Sequence, residues 1–202
     1  MPAMSVMAAA LLAGAYLIGG IPFGLMIGKA RGVDLRKVGS KNIGATNVAR
    51  SLGMRWGILC LLLDALKGAG PTLVARLLLD PATPHTGWVI AGVMVAAVVG
   101  HMFTPYLLLR GGKGVATGLG VVLAACPLAG VIAGVLYVGL YAALRISSVG
   151  SMALTLSAPV AMWLLGAPRE QIYAFLLIGL LIVIKHIPNL ARLARGEEGK
   201  VR

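Results

Sequence analysis

The chain has 202 residues, of which 59% are hydrophobic, and its mean hydropathy is +0.93. This composition leaves too little polar surface to cover a water-soluble globule, which excludes an ordinary soluble enzyme. The formal net charge of +12 could suit nucleic acid, but aromatic residues make up only 5% of the chain and do not interleave with the Lys and Arg. The charge therefore indicates anionic lipids or anionic substrates, and nucleic acid is not an expected partner.

Apolar runs follow one another along nearly the whole chain, and a transmembrane helix needs about 20 apolar residues. Read against charges and helix breakers, these runs predict an all-α polytopic membrane protein, with residues 1–202 forming a single integral-membrane domain. The first run is too long and wrongly flanked for a cleaved signal peptide, so we interpret it as a retained span. The seven predicted spans cover residues 4–29, 56–79, 87–107, 113–125, 128–144, 149–166 and 171–187.

The fourth and fifth predicted spans can be read in two ways, because Cys126-Pro127 interrupts a run that continues to Ala143. Proline removes a backbone donor and clashes with the preceding turn, so a short hairpin of two helices fits as well as one long helix. A five-span alternative also merges the last two helices across residues 166–170, which buries a proline and two charges.

The distribution of Lys and Arg favours seven spans, since basic residues concentrate in cytoplasmic loops. With the N-terminus outside and the C-terminus in the cytoplasm, all Lys and Arg except Lys67, Arg76 and Arg169 fall in cytoplasmic segments. Merging the fourth and fifth spans alone would instead place Arg145 and the basic tail, including Lys200 and Arg202, outside the cell.

The first predicted cytoplasmic loop carries a polar, glycine-rich run. Its small residues let backbone N–H groups face an anion, its Ser, Thr and Asn side chains add hydrogen bonds, and an arginine can pair with phosphate through two parallel bonds. A solvated, turn-rich loop is the structural alternative. The candidate site residues here are Gly39, Ser40, Asn42, Gly44, Thr46, Asn47 and Arg50.

A second cluster, Arg110-Gly111-Gly112-Lys113-Gly114, precedes the fourth predicted span. Free N–H groups and the positive end of the dipole at a helix start favour an anion. No Ser or Thr follows Lys113 and no strand precedes it, so the run differs from a Walker loop and ATP binding is not expected. A plain glycine-rich turn is the alternative.

Two further clusters fall on the same predicted face. Ser147 and Ser148 join the fifth and sixth spans, while Lys185, His186 and Asn189 end the seventh, with His186 and Asn189 three residues apart on one helix face. Anchoring at the membrane interface by long basic side chains is the alternative. The shared face favours one site for substrates that carry phosphate.

Asp64, Lys67 and His101 are ionisable residues that lie inside predicted spans and outside the four polar clusters. Asp64 and Lys67 are one turn apart, which suits an ion pair that lowers the cost of charge in lipid. The sequence is compatible with a structural role or a catalytic role for this pair. It is equally compatible with His101 as a packed polar residue or as part of a pocket wall.

Together these segments resemble the PlsY family of acyl-phosphate:glycerol-3-phosphate acyltransferases. Gly20, Lys41 and Lys185 stand where that family often has Ser, Gly and Arg. The segments that carry the resemblance are residues 19–24, 39–53, 63–68, 100–101, 110–118, 147–151 and 185–198.

The resemblance implies a multi-pass enzyme of the cell inner membrane whose active site faces the cytoplasm. It transfers a fatty acyl group from a long-chain acyl phosphate to the 1-hydroxyl of glycerol 3-phosphate, giving lysophosphatidic acid and phosphate without a cofactor. A soluble enzyme that makes acyl phosphate is an implied partner. The catalytic residues would be Ser40, Arg50, Lys113, His186 and Asn189, and the other cluster residues would bind substrate.

The groups that the sequence lacks narrow the mechanism. It has no Gly-x-Ser-x-Gly elbow, no metal-ligand cluster and no paired carboxylates near the basic clusters. An acyl phosphate is already activated, so a substrate phosphate could accept the hydroxyl proton while the protein positions groups and stabilises charge. His186 as general base is the alternative, and metal independence is predicted.

Two other functions fit the same composition: an anion transporter and a noncatalytic lipid-binding membrane protein. Many transporters bind substrate near the bilayer midplane between internal repeats. Here the clusters lie at one face and no repeat is visible, which favours the enzyme.

Overall fold

A computed structural model describes the backbone of residues 2–199 and the side chains from residue 6 onward; Lys200 and Arg202, placed by charge in the cytoplasmic tail, lie outside the described residues. Within this range the regular elements are all helical. They are α1 (Pro2–Gly20), α2 (Phe23–Ala30), α3 (Ala45–Leu52), α4 (Met54–Leu78), α5 (Thr86–Met102), a 3₁₀ turn (Pro105–Leu107), α6 (Val115–Ala125), α7 (Pro127–Leu144), α8 (Ser147–Leu164) and α9 (Arg169–Ala194).

Six segments in the described part of the chain are long and apolar enough to cross a membrane, which confirms an all-α integral-membrane protein. The remaining predicted span, residues 113–125, corresponds to α6, which has only 11 residues. The six segments are Val6–Ala30, Met54–Leu78, Thr86–Leu107, Pro127–Leu144, Ser147–Leu164 and Arg169–Ala194.

The structure has two helices, α6 and α7, where the sequence allowed either one or two. Cys126 adopts φ −144° and ψ 88°, which ends α6, and Pro127 is the first residue of α7. Proline suits this position because the first residue of a helix has no intrahelical use for its N–H.

The short helix α6 is held by α4, which packs along it. The guanidinium of Arg76 donates hydrogen bonds to the carbonyl oxygens of Ala124 and Ala125. A Cβ on Gly68 of α4 would overlap the backbone of Thr117, so the two helices touch through their main chains. Arg76 therefore satisfies two carbonyls at the end of α6, which have no partner within their own helix.

The first predicted helix is broken at Ile21-Pro22 into α1 and α2. Two side chains from other helical segments donate to carbonyls at this break: Thr104 Oγ1 to Gly20 at 2.6 Å and Lys67 Nζ to Ile21 at 2.7 Å. The break is thus a fixed feature of the fold, satisfied from α4 and from the segment after α5.

Two elements differ from the sequence-based expectation. The predicted cytoplasmic loop contains the helix α3, whose Val48 is fully buried in a small cluster with Leu35 and Cys60. The last helix was predicted to end at residue 187 but continues through Pro188 to Ala194. Proline removes one hydrogen bond and crowds the preceding turn, but the buried face of α9 that includes Ile182 and His186 continues past it at Asn189.

Candidate active site

One cavity of about 570 Å³ is lined by residues from all four polar clusters. The loop before α3, the start of α6, the start of α8 and the last turns of α9 each contribute to its wall. The predicted site residues that line it are Gly39, Ser40, Asn42, Gly44, Thr46, Asn47, Arg50, Lys113, Gly114, Ser147, Ser148, His186 and Asn189.

The loop before α3 is shaped by the buried amide of Asn47, which is 1% exposed. Its Oδ1 accepts a hydrogen bond from the Ser40 N–H at 2.9 Å, and its Nδ2 lies 2.8 to 3.2 Å from three loop carbonyls, including that of Asn42. Gly39 has φ +56°, and a Cβ there would overlap Asn47 Oδ1. Asn47 thus fixes the backbone that carries Ser40 and Asn42 to the cavity.

Three hydroxyl groups connect α3, α7 and α8 at the cavity wall. Ser147 Oγ lies 2.9 Å from Thr46 Oγ1 and 3.0 Å from the Tyr137 hydroxyl. The neighbouring Ser148 hydroxyl is buried and forms no hydrogen bond of normal geometry among residues 2–199, although it lies near enough to the Glu198 carboxylate to help lower the pKa of that group. It is therefore a polar group at the cavity that a ligand can satisfy.

His186 is 3% exposed and lies on α9. Its Nδ1 is 2.8 Å from the carbonyl oxygen of Ile182. A carbonyl only accepts hydrogen bonds, so we assign the proton to Nδ1, which leaves the Nε2 lone pair as an acceptor.

A chain of polar contacts joins the Lys113 turn to the segment after α9. The Lys113 ammonium donates to Asn189 Oδ1, and Asn189 Nδ2 donates to Glu198 Oε1 at 2.6 Å. The other carboxylate oxygen of Glu198 accepts from Arg192 Nε at 2.8 Å. At the cavity mouth the exposed Arg50 donates to the Gly199 carbonyl at 3.2 Å.

The cavity is cationic near neutral pH. Burial lowers the pKa of Lys113 to about 8, an effect that the Glu198 carboxylate opposes and that Arg192 and Arg50 reinforce. Burial alone would raise the pKa of Glu198, but hydrogen bonds from Asn189 and Arg192 and the nearby Ser148 hydroxyl outweigh it and leave that pKa below its ordinary value. Two carboxylates line the cavity, Asp64 and Glu198, and Asp64 is already paired with Lys67. The cations that line it are Lys41, Arg50, Lys113 and Arg192, and the surplus positive charge suits a phosphate.

Four predicted site residues do not line the cavity. Lys185 Nζ lies 3.4 Å from the Met102 carbonyl oxygen and 4.3 Å from the centre of the Phe103 ring, at the end of α5. Gly111 and Gly112 donate their N–H groups to the last carbonyls of α5, and Arg110 is exposed. The four are Arg110, Gly111, Gly112 and Lys185.

The opposite part of the cavity is apolar. Its wall comes from α4, α6, α7 and α8, and one wall residue, Val138, is 60% exposed on the outer surface of α7. The cavity therefore reaches the exposed outer surface of this helix. The apolar wall residues from these four helices are Leu61, Val115, Ala116, Leu119, Gly134, Val138 and Leu154.

The sequence model of the glycerol-3-phosphate acyltransferase family matches residues 9–196. The chain belongs to this family. It is 48% identical over 195 residues to the glycerol-3-phosphate acyltransferase of Anaeromyxobacter dehalogenans (strain 2CP-1), which covers 96% of each chain. It is 41% identical over 184 residues to that of Aquifex aeolicus (strain VF5), covering 91% of this chain and 94% of the relative.

Two solved structures share the fold of this acyltransferase family member. Both are crystal structures of PlsY, an integral membrane glycerol 3-phosphate acyltransferase, in the glycerol 3-phosphate form and the lysophosphatidic acid form. The first has a TM-score of 0.90 at 40% identity and the second 0.88 at 38%, each covering 96% of this chain and 95% of the other. The family resemblance drawn from the sequence is confirmed.

Several cavity residues were not predicted as site residues. Arg192 and Glu198 lie in the basic tail, where their charges looked like solvated surface, although residues 185–198 carried part of the family resemblance. Tyr137 lies within α7 and gave no signal in the sequence, whereas Ser151 ends the segment 147–151 that carried part of the family resemblance but was not itself predicted as a site residue. Within residues 2–199 no group of three or more His, Cys, Asp or Glu is arranged to hold a metal ion.

Proposed function

We propose that this acyltransferase moves a fatty acyl group from a long-chain acyl phosphate to the 1-hydroxyl of glycerol 3-phosphate, forming lysophosphatidic acid and phosphate. The observation that carries the proposal is one cavity with a cationic, donor-rich end and an apolar end that reaches lipid. Both substrates carry phosphate, and only the donor carries a long alkyl chain. The two ends match these two requirements.

The cationic end holds the phosphates. Arg50 and Lys113 supply positive charge, and charge-assisted hydrogen bonds to phosphate are about twice as strong as neutral ones. Ser40, Asn42 and the buried Ser148 hydroxyl add neutral donors. The positive end of the α6 dipole begins beside Gly114 and favours an anion at the same place.

The reaction needs a nucleophile, a leaving group and a proton acceptor. The 1-hydroxyl oxygen attacks the acyl carbonyl carbon, a new C–O ester bond forms, and the C–O bond to phosphate breaks with its electron pair leaving on phosphate. We assign the hydroxyl proton to a phosphate oxygen of the substrate, with His186 Nε2 as the alternative acceptor. Lys113 and Arg50 stabilise the negative charge that develops during attack.

Several of the remaining predicted site residues hold the shape of the site in this proposal. Asn47 and Gly39 shape the loop that presents Ser40. Gly111 and Gly112 set the turn before Lys113. Thr46 and Ser147 join α3 to α8.

The membrane arrangement proposed here has seven crossings, with α6 as the fourth and the Lys113 turn at its cytoplasmic end. At about 1.5 Å per residue α6 is about 16 Å long, roughly half of a hydrocarbon core of about 30 Å. The N-terminus lies outside, and the cavity and the C-terminus face the cytoplasm of the inner membrane. A soluble enzyme that makes acyl phosphate would then deliver donor from the same side.

The test uses purified protein in mixed micelles with radiolabelled glycerol 3-phosphate and palmitoyl phosphate. Labelled lysophosphatidic acid should form with one phosphate released per product, and the rate should be unchanged in EDTA. Absence of product with protein that is folded would reject the proposal. Uptake of labelled glycerol 3-phosphate into proteoliposomes without acyl phosphate would support the transporter alternative instead.

A further inference from the structure

Three ionisable side chains are buried side by side between α4 and α5. Asp64, Lys67 and His101 are 3%, 2% and 5% exposed, and the Lys67 ammonium lies 2.7 Å from Asp64 Oδ1. Buried charges in a membrane protein are costly even when paired, so such a cluster requires a reason.

Lys67 has a structural task. It donates to the Ile21 carbonyl at the break between α1 and α2, and its ammonium lies 5.7 Å from the centre of the Phe23 ring. Asp64 neutralises this lysine. The break therefore accounts for Lys67 and for one function of Asp64, but it does not involve His101.

The contact between Asp64 and His101 has no such explanation. Apart from its ion pair with Lys67, Asp64 Oδ1 has no hydrogen-bond partner among the described residues, and neither has His101 Nδ1. These two atoms lie 3.8 Å apart. Both residues also line the cavity that holds Lys113. A buried polar pair that opens onto an active-site cavity points to a role there.

His101 supports the turn that precedes Lys113. The N–H of Gly112 donates to the His101 carbonyl oxygen at 3.0 Å, and the N–H of Gly111 donates to that of Met102 at 3.1 Å. A Cβ on Gly112 would overlap His101 Nε2, so the turn rests directly on the imidazole edge. The position of this ring therefore sets the position of the backbone one residue before Lys113.

We propose that Asp64 and His101 are positioning residues for the Lys113 ammonium: Asp64 orients the imidazole, and the imidazole supports Gly112. This inference rests on the proposed function, in which Lys113 contacts the substrate. The contact also explains why position 112 is a glycine, because a larger residue there would displace the imidazole ring of His101.

The test is a double-mutant cycle on kcat/KM with His101→Ala, Lys113→Ala and the combined variant. His101→Ala alone should lower kcat/KM about 10- to 100-fold, since a misplacement of about 1 Å can cost about 100-fold. In the Lys113→Ala background the same change should cost less than about threefold, whereas independent effects multiply. His101→Gln, whose amide can take the place of the Nε2 edge under Gly112, should recover part of the loss.

The matched control is Thr72→Val, which removes a fully buried hydroxyl of α4 that bonds only to the Gly68 carbonyl and does not line the cavity. It should retain parental activity in both backgrounds. If His101→Ala is not recovered as folded protein, Asp64→Asn replaces it in the cycle. The losses in kcat/KM from Asp64→Asn and Lys113→Ala should likewise not multiply in the combined variant.

The inference would be overturned if the losses in kcat/KM from His101→Ala and Lys113→Ala multiplied fully in the combined variant, or if His101→Ala kept parental activity. Either result would leave the proposed function intact. Parental activity of Lys113→Ala would instead contradict the proposed role of Lys113 itself. The two failures are therefore distinguishable in one set of measurements.

Discussion

Lys113 donates a hydrogen bond to Asn189 across the cavity, which ties the turn before α6 to the last turns of α9. Asn189 in turn donates to Glu198. The ammonium is thus oriented by an amide that is itself held by a carboxylate. A phosphate that binds Lys113 meets a cation whose position is already fixed, which reduces the ordering cost of binding.

Lys113→Ala should lower kcat/KM by about 30-fold to a few thousandfold. Removing one partner of a desolvated charge pair costs about 2 to 5 kcal/mol, and each 1.36 kcal/mol is tenfold in rate. Lys113→Arg should also lose most activity, because a planar guanidinium does not fit the place of an ammonium between two glycines. The measurement is steady-state acyl transfer at equal amounts of folded protein.

Arg195→Ala is the control for Lys113→Ala, since Arg195 is exposed and pairs only with the exposed Glu197 at 2.8 Å. Exposed pairs contribute about 0 to 1 kcal/mol, so this variant should stay within about twofold of the parent. Alanine variants of Lys113 and Arg195 with equal activity would show that Lys113 only anchors the interface.

The pH profile should report the ammonium of Lys113, whose pKa burial lowers to about 8. Above this pH the free enzyme loses the cation, so kcat/KM should fall as pH rises through about 8. A bound phosphate stabilises the ammonium, so kcat should fall only at higher pH. In Lys113→Arg the residual kcat/KM should show no decline near pH 8, because a guanidinium does not deprotonate in this range.

Asn47→Asp should disorder the loop before α3 while the membrane helices remain intact. The carboxylate cannot donate to the three carbonyls that Asn47 Nδ2 approaches, and each buried group left unsatisfied costs about 1 to 3 kcal/mol. We expect a loss of tenfold or more in kcat/KM, on the order of one such penalty, together with faster hydrogen exchange in residues 39–44. Parental exchange rates in that loop would contradict the role given to Asn47.

Acyl phosphate should serve as donor and acyl-CoA should not. The cationic end of the cavity suits a small terminal phosphate, and the mechanism relies on the activated mixed anhydride. Turnover is compared with palmitoyl phosphate and palmitoyl-CoA at equal concentrations. Comparable rates with the two donors would reject the mechanism.

The topology can be tested by labelling single cysteines in a background that lacks Cys60 and Cys126. Arg145→Cys, in the exposed connection between α7 and α8, should react from the cytoplasmic side only. Ala82→Cys, in the exposed connection between α4 and α5, should react from outside only. The reverse pattern, or labelling of both from one side, would remove the seven-span arrangement.

Residue types and spacing predicted many of the residues that line the cavity, because glycine-rich segments with basic residues form a local pattern. The loop at residues 39–50 and the turn before α6 combine glycines with basic residues, and both line the cavity. His186 and Asn189 were placed on one helix face by their spacing, and both are buried there.

The contacts that spacing could not predict are those between distant elements. Nothing near Asn47 in the sequence distinguishes an amide that holds its own loop from one that binds substrate. Glu198 meets Asn189 only because α9 continues past Pro188 and the chain then turns back. The break at Ile21-Pro22 likewise depends on donors from Lys67 and Thr104, which lie far away in the sequence.

Val138 lines the cavity and is 60% exposed, so the apolar part of the proposed site opens at the outer surface of α7, which lipid surrounds in the proposed membrane arrangement. A donor can keep its alkyl chain among lipids while its phosphate enters the cationic end. The concentration that governs its encounter with the enzyme is then its mole fraction in the two-dimensional film, whereas glycerol 3-phosphate is drawn from the three-dimensional aqueous phase. Adding inert lipid while the bulk concentrations of both substrates stay constant should therefore slow the reaction, as a lower donor concentration would. The dependence of the rate on glycerol 3-phosphate should stay unchanged.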